Sequence, residues 1–351
     1  LSDPSLDGAR GLPRAQGPRE VAGRGRGLAR AAETLFWIAL LSVVLASAVA
    51  WLAADWWLAD LATHFRLQYL VFAVLAAGAG VLLRRPGWLV VALATILLNA
   101  MPVFAWLTAP APAAAPAGRA ERTALLPVRV AAANLFWRSE EYAAVRDWAR
   151  GSDSDLLVFV EVSDRWAREL APLQDRWPYS RLALKAGHSG TLVLSRWPLR
   201  AAGVVSTQSR GTPDPIVEVA MPGRPWRLVP VHANWPMGRQ ASAFRASDLR
   251  GLAAVSARSD RPLLAIGDFN LSPLSPHFSA LLSDGRLRNA AAGRGWQPTW
   301  PVFLPVMGIQ IDHALVSSDI AVNSFRVSAI KGSDHRPIIV DLGVPRQESE
   351  G

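Results

Sequence analysis

Three apolar stretches lie in the first third of the chain, at residues 34–54, 68–83 and 88–107. A helix needs about 20 apolar residues to cross a bilayer core of about 30 Å. The pattern therefore predicts an N-terminal region of three transmembrane helices over residues 31–107. The second stretch is short and rich in glycine and alanine, so a re-entrant segment is the alternative there. A buried soluble bundle is the alternative for all three stretches, whereas their repetition argues against a cleaved signal peptide.

Beyond residue 126 the pattern changes to short runs of β-branched residues that alternate with amphipathic segments. The runs predict strands at 128–133, 156–162, 191–194, 216–220, 226–232, 263–267, 311–316 and 338–342. The amphipathic segments predict helices at 140–150, 163–170 and 239–258. This alternation is typical of a layered α/β domain, which we place at residues 126–345.

Two segments without periodicity flank the predicted membrane region. Residues 1–30 are rich in glycine, proline and arginine, which predicts a disordered tail. Residues 108–125 contain the run TAPAPAAAPAG, in which recurring proline prevents a continuous helix. We therefore expect a Pro/Ala-rich linker between the membrane helices and the α/β domain.

Arginine placement predicts the orientation, because cytoplasmic loops carry the excess of positive charge. Arg24, Arg26 and Arg30 precede the first apolar stretch, and Arg84 and Arg85 separate the second from the third. The loop between the first two stretches is nearly neutral. Three crossings from a cytoplasmic N-terminus would leave the α/β domain outside the cell membrane, with the lipid bilayer as a constant partner.

Composition excludes several classes of protein. The 351 residues are 51% hydrophobic and 19% charged, which is too apolar for a disordered chain. The chain has no cysteine, which excludes disulfides, cysteine-ligated zinc, iron–sulfur clusters and thiol catalysis. The net charge of +9 is scattered, without the basic stripe of a nucleic-acid-binding protein. No P-loop, G-x-S-x-G or G-x-G-x-x-G motif is present, which argues against nucleotide-driven and serine-hydrolase chemistry.

Polar residues lie at the ends of strands that are otherwise apolar. Each one alone is explained as a turn residue, a cap, a buried ion-pair member or a core histidine. Together they form a set of oxygen and imidazole groups that suits Mg²⁺ or Mn²⁺ and the hydrolysis of phosphoesters. The set consists of Asn134, Glu161, His232, Asp268, Asn270, Asp312, Asp334 and His335.

The order and spelling of the motifs resemble the endonuclease/exonuclease/phosphatase superfamily, which includes DNase I. The matching segments are AAANLFW, SDLLVFVEV, GTLVLSRWPL, VHANWP, IGDFNLSP, QPTW, IDHALVSSD and SDHRPIIVDL, over residues 131–342. The resemblance implies a four-layer sandwich, in which two mixed β-sheets lie face to face with helices outside. It also implies that the strand ends converge at one rim to form the site.

The resemblance further implies a divalent cofactor, Mg²⁺ with Mn²⁺ as the alternative, and assigns residues to it. Glu161 would be the principal metal ligand, and Asp334 would be an additional metal or water ligand. Asn134 would bind the metal or the phosphate. Asn234 would assist in substrate binding.

Five further residues would be catalytic by the same resemblance. Asp268 would orient or deprotonate the attacking water, and Asn270 would bind the phosphate or hold that aspartate. His335 would stabilise the transition state, with Asp312 holding its ring in the useful tautomer. His232 would be a phosphate binder or general acid.

Three functions remain open from the sequence. The tethered arrangement resembles membrane-anchored bacterial members of the superfamily, including those linked to glycopeptide resistance. This favours an extracytoplasmic phosphatase or phosphodiesterase acting on a membrane-associated substrate such as an isoprenyl pyrophosphate or a phospholipid. A membrane-anchored nuclease and a non-catalytic phosphate-binding module are the alternatives. No obligate protein partner is inferred.

Overall fold

The computed structural model describes residues 18–112, 125–184, 190–205, 214–222 and 224–345, with side chains from residue 27 onward. Most of the predicted tail, at residues 1–17, lies outside these ranges. The same is true of residues 113–124 in the predicted linker.

Four helices precede the α/β domain: α1 (Pro18–Val49), α2 (Trp57–Thr63), α3 (Arg66–Leu82) and α4 (Pro86–Leu107). Two helical segments, Gly27–Leu52 and Pro86–Leu107, are long and apolar enough to span a membrane. Helices α2 and α3 are bent by 59° relative to each other and would form a third span only if they are counted together. The helices carry large apolar side chains that are exposed in the structure, among them Leu45, Leu75 and Leu97. Such a surface is typical of a region that contacts lipid or a partner.

The first helix begins earlier than the sequence pattern predicts. It starts at Pro18, so residues 18–30 are helical and do not belong to a disordered tail. The physical reason is that helix propagation is much easier than nucleation. A helix formed in the apolar stretch therefore extends into the preceding residues, several of which are alanine and arginine, both good helix formers.

Twelve strands are found within the described ranges and form two six-stranded mixed sheets. In chain order they are β1 (Leu125–Asn134), β2 (Leu156–Val162), β3 (Tyr179–Ala183), β4 (Gly190–Ser195), β5 (Leu199–Val204), β6 (Pro215–Val219), β7 (Trp226–His232), β8 (Leu263–Asp268), β9 (Leu287–Asn289), β10 (Asp312–Ser317), β11 (Ala321–Val327) and β12 (Ile338–Pro345). The strand order is β11-β12-β1-β2-β4-β3 in one sheet and β5-β6-β7-β8-β10-β9 in the other.

Helices cover the outer face of each sheet. Helices α5 (Tyr142–Gly151) and α6 (Asp164–Leu170) pack on the first sheet, and α7 (Arg239–Ala257) and α8 (Pro276–Gly285) pack on the second. A third apolar core lies between the sheets and contains Val130 and Val158 from one sheet and Leu264 from the other. The predicted four-layer α/β sandwich is confirmed.

The eight predicted strands are present, and the four strands that the pattern did not predict are β3, β5, β9 and β11. These four are the outer strands of the two sheets. Strands β3 and β5 are largely exposed, so their side chains do not show a buried apolar run. Helix α8 was also not predicted.

Strand direction determines where the polar strand ends lie. Strands β1 and β2 are parallel, as are β7 and β8, so their carboxyl ends lie at a common edge of each sheet. Strands β12 and β10 run antiparallel to β1 and β8 and therefore begin at that edge. The residues at or just before the N-terminal ends of β10 and β12 consequently lie beside the C-terminal residues of β1, β2, β7 and β8.

Candidate active site

Side-chain alternation brings the polar strand ends into the seam between the sheets. In β8, Leu264 and Ile266 pack in the core between the sheets, and Asp268 follows at the same two-residue step. Three further polar residues lie an even number of positions from inter-sheet core residues of their own strands and therefore face the same side. They are Asn134 in β1, His232 in β7 and Asp312 in β10. Each of these side chains therefore points into the inter-sheet seam at one rim.

Glu161 reaches this rim through a local distortion of β2. The pairing of β2 with β4 shifts between Val160 and Val162, which marks a bulge. Glu161 lies in the bulge with φ of 59°, a conformation that is uncommon outside glycine. Its Oε2 accepts a hydrogen bond of 3.0 Å from the backbone N–H of Trp137, which orients the carboxylate.

Asn134 lies at the centre of the cluster and is buried. Its Nδ2 donates to Glu161 Oε1 at 3.0 Å and to Asp268 Oδ2 at 3.2 Å, and it lies 3.5 Å from His335 Nε2. Its Oδ1 accepts from the backbone N–H of Phe136 at 2.9 Å. One amide therefore connects two carboxylates that would otherwise repel each other.

A buried carboxylate orients the ring of His335. Asp312 Oδ2 lies 2.9 Å from His335 Nδ1, and both side chains are almost fully buried. Burial by itself would lower the pKa of His335, but Asp312 and Asp268 outweigh it and raise the pKa to about 10. The ring is therefore protonated at neutral pH, and its Nε2 edge, 3.8 Å from Asp268 Oδ2, carries positive charge.

Asp268 occupies the buried end of β8 next to Asn270. Burial raises the pKa of Asp268 to about 6, although His335 acts in the opposite direction. Its Oδ1 accepts from the backbone N–H of Asn270 at 2.8 Å. Asn270, with φ of 49°, also donates through Nδ2 to Ala233 O at 2.9 Å. A carboxylate with this pKa accepts a proton readily near neutral pH.

The donor set fits a divalent metal ion. Ligand atoms of Asp268, Asp312 and His335 all lie within 4.8 Å of one another. Of these, the two carboxylates are the groups that could bind a metal, because the protonated ring of His335 has no free lone pair. Asn134 connects this group to Glu161, which adds a third carboxylate at the same rim. Carboxylate oxygens are ligands that Mg²⁺ and Mn²⁺ prefer. The amide oxygen of Asn134 instead accepts from the backbone of Phe136, so the predicted role of Asn134 as a metal ligand stays a prediction.

Three of the predicted site residues lie at the margin of the cluster that Asn134, Glu161, Asp268, Asp312 and His335 form. His232 Nε2 is 3.8 Å from Glu161 Oε1, and its buried Nδ1 has no hydrogen-bond partner within the described part of the chain. Asn234 donates through Nδ2 to Asp248 of α7 at 2.9 Å. Asp334 Oδ2 accepts from the indole N–H of Trp300 at 3.1 Å. The roles assigned to Asn234 and Asp334 stay predictions, because these contacts direct both side chains toward the supporting structure.

Two supporting residues were not singled out from the sequence. Ser333 Oγ donates to Asn134 O at 2.7 Å and accepts from the backbone N–H of His335 at 2.9 Å. Thr299 Oγ1 accepts from the backbone N–H of Asp312 at 3.1 Å. Ser333 lies in the motif SDHRP and Thr299 lies in the motif QPTW. The presence of a hydroxyl residue within these motifs was the sequence signal that could have identified them.

The sequence matches the Endonuclease/Exonuclease/phosphatase family over residues 131–335. Three similar solved structures each cover 62% of this chain. D. rerio TDP2 humanized by 14 mutations is 13% identical, with 98% of its chain covered and a TM-score of 0.51. Sphingomyelinase C from Streptomyces griseocarneus is 20% identical, with 99% covered and a TM-score of 0.49. An endonuclease/exonuclease/phosphatase from Beutenbergia cavernae DSM 12333 is 18% identical, with 72% covered and a TM-score of 0.48. No curated protein matches the sequence.

Proposed function

The chain belongs to the endonuclease/exonuclease/phosphatase family, and from this premise we propose that it is a metal-dependent hydrolase of a phosphoester held at a membrane surface. The substrate class is a lipid phosphate, such as an isoprenyl pyrophosphate or a phospholipid. The observation that carries this proposal is a single exposed loop that contacts both the candidate active site and the apolar helices.

This loop, residues 296–308, is called the site loop. Thr299 and Trp300 in its first half hold the backbone of Asp312 and the carboxylate of Asp334. At its other end, Gly308 O accepts a hydrogen bond of 2.8 Å from Gln68 Nε2 in the first turn of α3. The site loop therefore links the candidate active site to a helix of the predicted membrane region.

The site loop exposes large apolar side chains in this position. Phe303 is 76% exposed and Val306 is 72% exposed. Trp137, whose N–H orients Glu161, and Trp235, three residues after His232, are exposed as well. Exposed aromatic and aliphatic residues beside a polar site are suited to contact lipid while the phosphate enters the cluster.

The orientation of the helices supports an extracytoplasmic site. Arg84 and Arg85 lie in the turn between α3 and α4, at the end of α3 opposite Gln68. Since positive charge favours the cytoplasmic side, this turn would be inside and the site loop outside.

The side chains divide the chemistry of phosphoester hydrolysis between them. Asp268 would accept a proton from the attacking water, because its pKa of about 6 keeps it ionised at neutral pH. His335, protonated and oriented by Asp312, would donate a hydrogen bond to the phosphate oxygens as charge develops on them. Glu161 would hold the divalent metal, which when bound supplies positive charge to the phosphate oxygens. Asn134 would keep the Glu161 carboxylate in place through its Nδ2 hydrogen bond.

The test is a hydrolysis assay on the full chain in lipid nanodiscs with Mg²⁺, in which chromatography of the products detects both released phosphate and new phosphomonoesters. Isoprenyl pyrophosphate, phospholipid, inositol phosphate and DNA would be compared as substrates. We expect turnover of a lipid phosphate, and Asp268→Ala and His335→Ala should each reduce kcat/KM by about 10²-fold or more. Unchanged rates in these variants would contradict the assigned roles.

A second pair of variants tests the membrane-held substrate separately. The double variant Phe303→Ser/Val306→Ser should lower kcat/KM for the lipid phosphate by about 10-fold or more, because burial of each apolar side chain contributes about 1.5–3 kcal/mol. Hydrolysis of soluble bis(p-nitrophenyl) phosphate should not change. Val204→Ser, at another exposed valine, is the matched control. Preferred cleavage of DNA that weakens steeply with salt would instead favour the nuclease alternative.

A further inference from the structure

A cavity of about 450 Å³ lies between the N-terminal helices and the α/β domain. We call it the bundle–domain cavity. One wall is formed by residues at the ends of the helices that the sequence predicts to be in the membrane, including Trp51, Pro102 and Trp106. The opposite wall is formed by α8 and the residues just before it, including Leu274 and Phe278. The volume lies within the range of about 300–1,000 Å³ that is usual for ligand pockets, and the walls are mainly apolar.

A buried arginine also lines this cavity. Arg66 is only 4% exposed and is the one charged residue among the described residues that line it. Its Nη1 donates to Leu98 O at 3.1 Å and to Asn99 Oδ1 at 3.4 Å, while its buried Nε has no partner in the described part of the chain. The guanidinium also lies 5.1 Å from the ring centroid of Trp51.

Arg66 has no carboxylate partner within 4 Å among the described side chains. The carboxylate of α2, Asp60, instead pairs with Arg245 of α7 and accepts from Ser275 Oγ. The acceptors of Arg66, Leu98 O and Asn99 Oδ1, are neutral and leave the charge uncompensated. Because burial of a charge is costly unless it is paired, a buried guanidinium without a carboxylate points to an anion that is bound beside it.

The N-terminus of helix α3 adds to the positive potential beside Arg66. This helix has 17 residues, begins at Arg66 itself and has no acidic residue in its first turn. The helix dipole favours an anion at such an end. The N-terminus of α8 on the opposite wall is capped by Ser275 and does not contribute in this way.

We propose that the bundle–domain cavity binds one anionic phospholipid, with its phosphate beside Arg66 and its acyl chains along Trp51, Pro102 and Trp106. The buried cation accounts for the phosphate, the apolar walls account for the chains, and the helix ends place the cavity where a lipid of the outer leaflet would lie. This site is separate from the candidate active site, and the proposal does not depend on the proposed hydrolase function.

The proposal is tested with the full chain in neutral detergent after removal of lipid. Native mass spectrometry and thermal unfolding would measure binding of phosphatidylglycerol, phosphatidylcholine and inorganic phosphate. We expect one bound phosphatidylglycerol and a rise in Tm, with phosphatidylcholine binding at least about 10-fold more weakly. Inorganic phosphate should not displace the lipid, because it lacks the acyl chains.

Variants then locate the site. Arg66→Gln should weaken phosphatidylglycerol binding by about 10-fold or more, and Arg66→Lys should preserve the preference for the anionic lipid. Arg84→Gln removes one charge at the opposite end of α3 and should leave binding unchanged. Ser279→Phe, at an exposed position of α8, should block binding by filling the cavity with Arg66 intact. This variant decides the test if Arg66→Gln does not fold.

Three results would overturn the proposal. The first is equal binding of the anionic and zwitterionic lipids. The second is full lipid binding by Ser279→Phe. The third is displacement of phosphatidylglycerol by inorganic phosphate at equal concentration, which would mean that the site binds a free anion.

Discussion

Asp312→Asn is expected to change the alkaline side of the pH–rate profile without unfolding the site. In the native protein Asp312 Oδ2 lies 2.9 Å from His335 Nδ1, and asparagine has nearly the same shape without the charge. Burial lowers the pKa of His335, and Asp312 is the largest of the influences that raise it to about 10. Without the Asp312 charge, the pKa should fall toward the ordinary value of about 6.5, while Asp268 still acts to raise it.

The size of the effect follows from the protonated fraction of the ring. At pH 8 a group with a pKa of about 10 is ~99% protonated, whereas a group with a pKa of 6.5 is ~3% protonated. If the imidazolium is the active form, kcat/KM at pH 8 falls by up to about 30-fold from protonation alone. In the native protein the profile should rise with the apparent pKa of Asp268, about 6, and fall with that of His335, about 10. The variant should lose up to about 3 pH units of its alkaline range.

The assay is hydrolysis of bis(p-nitrophenyl) phosphate with Mg²⁺ between pH 5 and 10. Histidine NMR of the metal-free protein would follow the protonation of His335 directly. Asp284→Asn, at an exposed carboxylate of α8, is the matched control and should leave the profile unchanged. If NMR reports the lowered His335 pKa and the alkaline limb of the profile does not move, the imidazolium is not the active form and the reasoning is wrong.

Further predictions concern the metal, the backbone at the site and the contact between the two parts of the chain. Chelation should abolish hydrolysis and Mg²⁺ or Mn²⁺ should restore it, while Glu161→Gln should raise the metal concentration for half-maximal activity by about 10-fold or more. Gly267→Ala should lower the free energy of unfolding by about 2 kcal/mol or more in chemical denaturation, because φ is 138° and a Cβ would lie 2.2 Å from a carbonyl oxygen of β7. The control Gly151→Ala, with no atom within 4 Å of the added carbon, should be neutral or stabilising by about 0.5–1 kcal/mol. Asp60→Asn should destabilise the full chain by about 3–5 kcal/mol, because it leaves a buried guanidinium unpaired. Asp55→Asn, at an exposed position in the turn before α2, should change stability by less than about 0.5 kcal/mol, and equal effects of the two changes would contradict a buried ion pair.

The order of elements and the core strands could be predicted from the local pattern alone. Strands β2 and β7 have the predicted bounds, because both are buried in the middle of a sheet and their apolar runs are continuous. Strands β3 and β5 were missed because they are outer strands with a largely exposed surface, so no buried apolar run marks them in the sequence. Strand β9 has only three residues, which is too short to show a period of two.

Candidate chemistry was also visible in the sequence, because a polar residue at the end of an apolar run is unusual. Asn134, Asp268 and Asp312 each follow or begin such a run, and the tertiary structure places all three within one hydrogen-bonded cluster. Asn234 shows the limit of this reasoning. Its position in the HAN motif is clear from the sequence, whereas only the packing of α7 directs its amide to Asp248.

The local sequence determined which segments form helices and strands and which residue types could bind a metal and a phosphate, because periodicity and side-chain chemistry are properties of neighbouring residues. The tertiary structure decided the pairing of Asp60 with Arg245, 185 positions apart, and the isolation of Arg66 beside a cavity. It also decided the raised pKa values of Asp268 and His335, which depend on burial and on charges from distant segments. Distances and solvent exclusion between remote parts of the chain arise only when the sheets and helices pack together, so no local pattern specifies them.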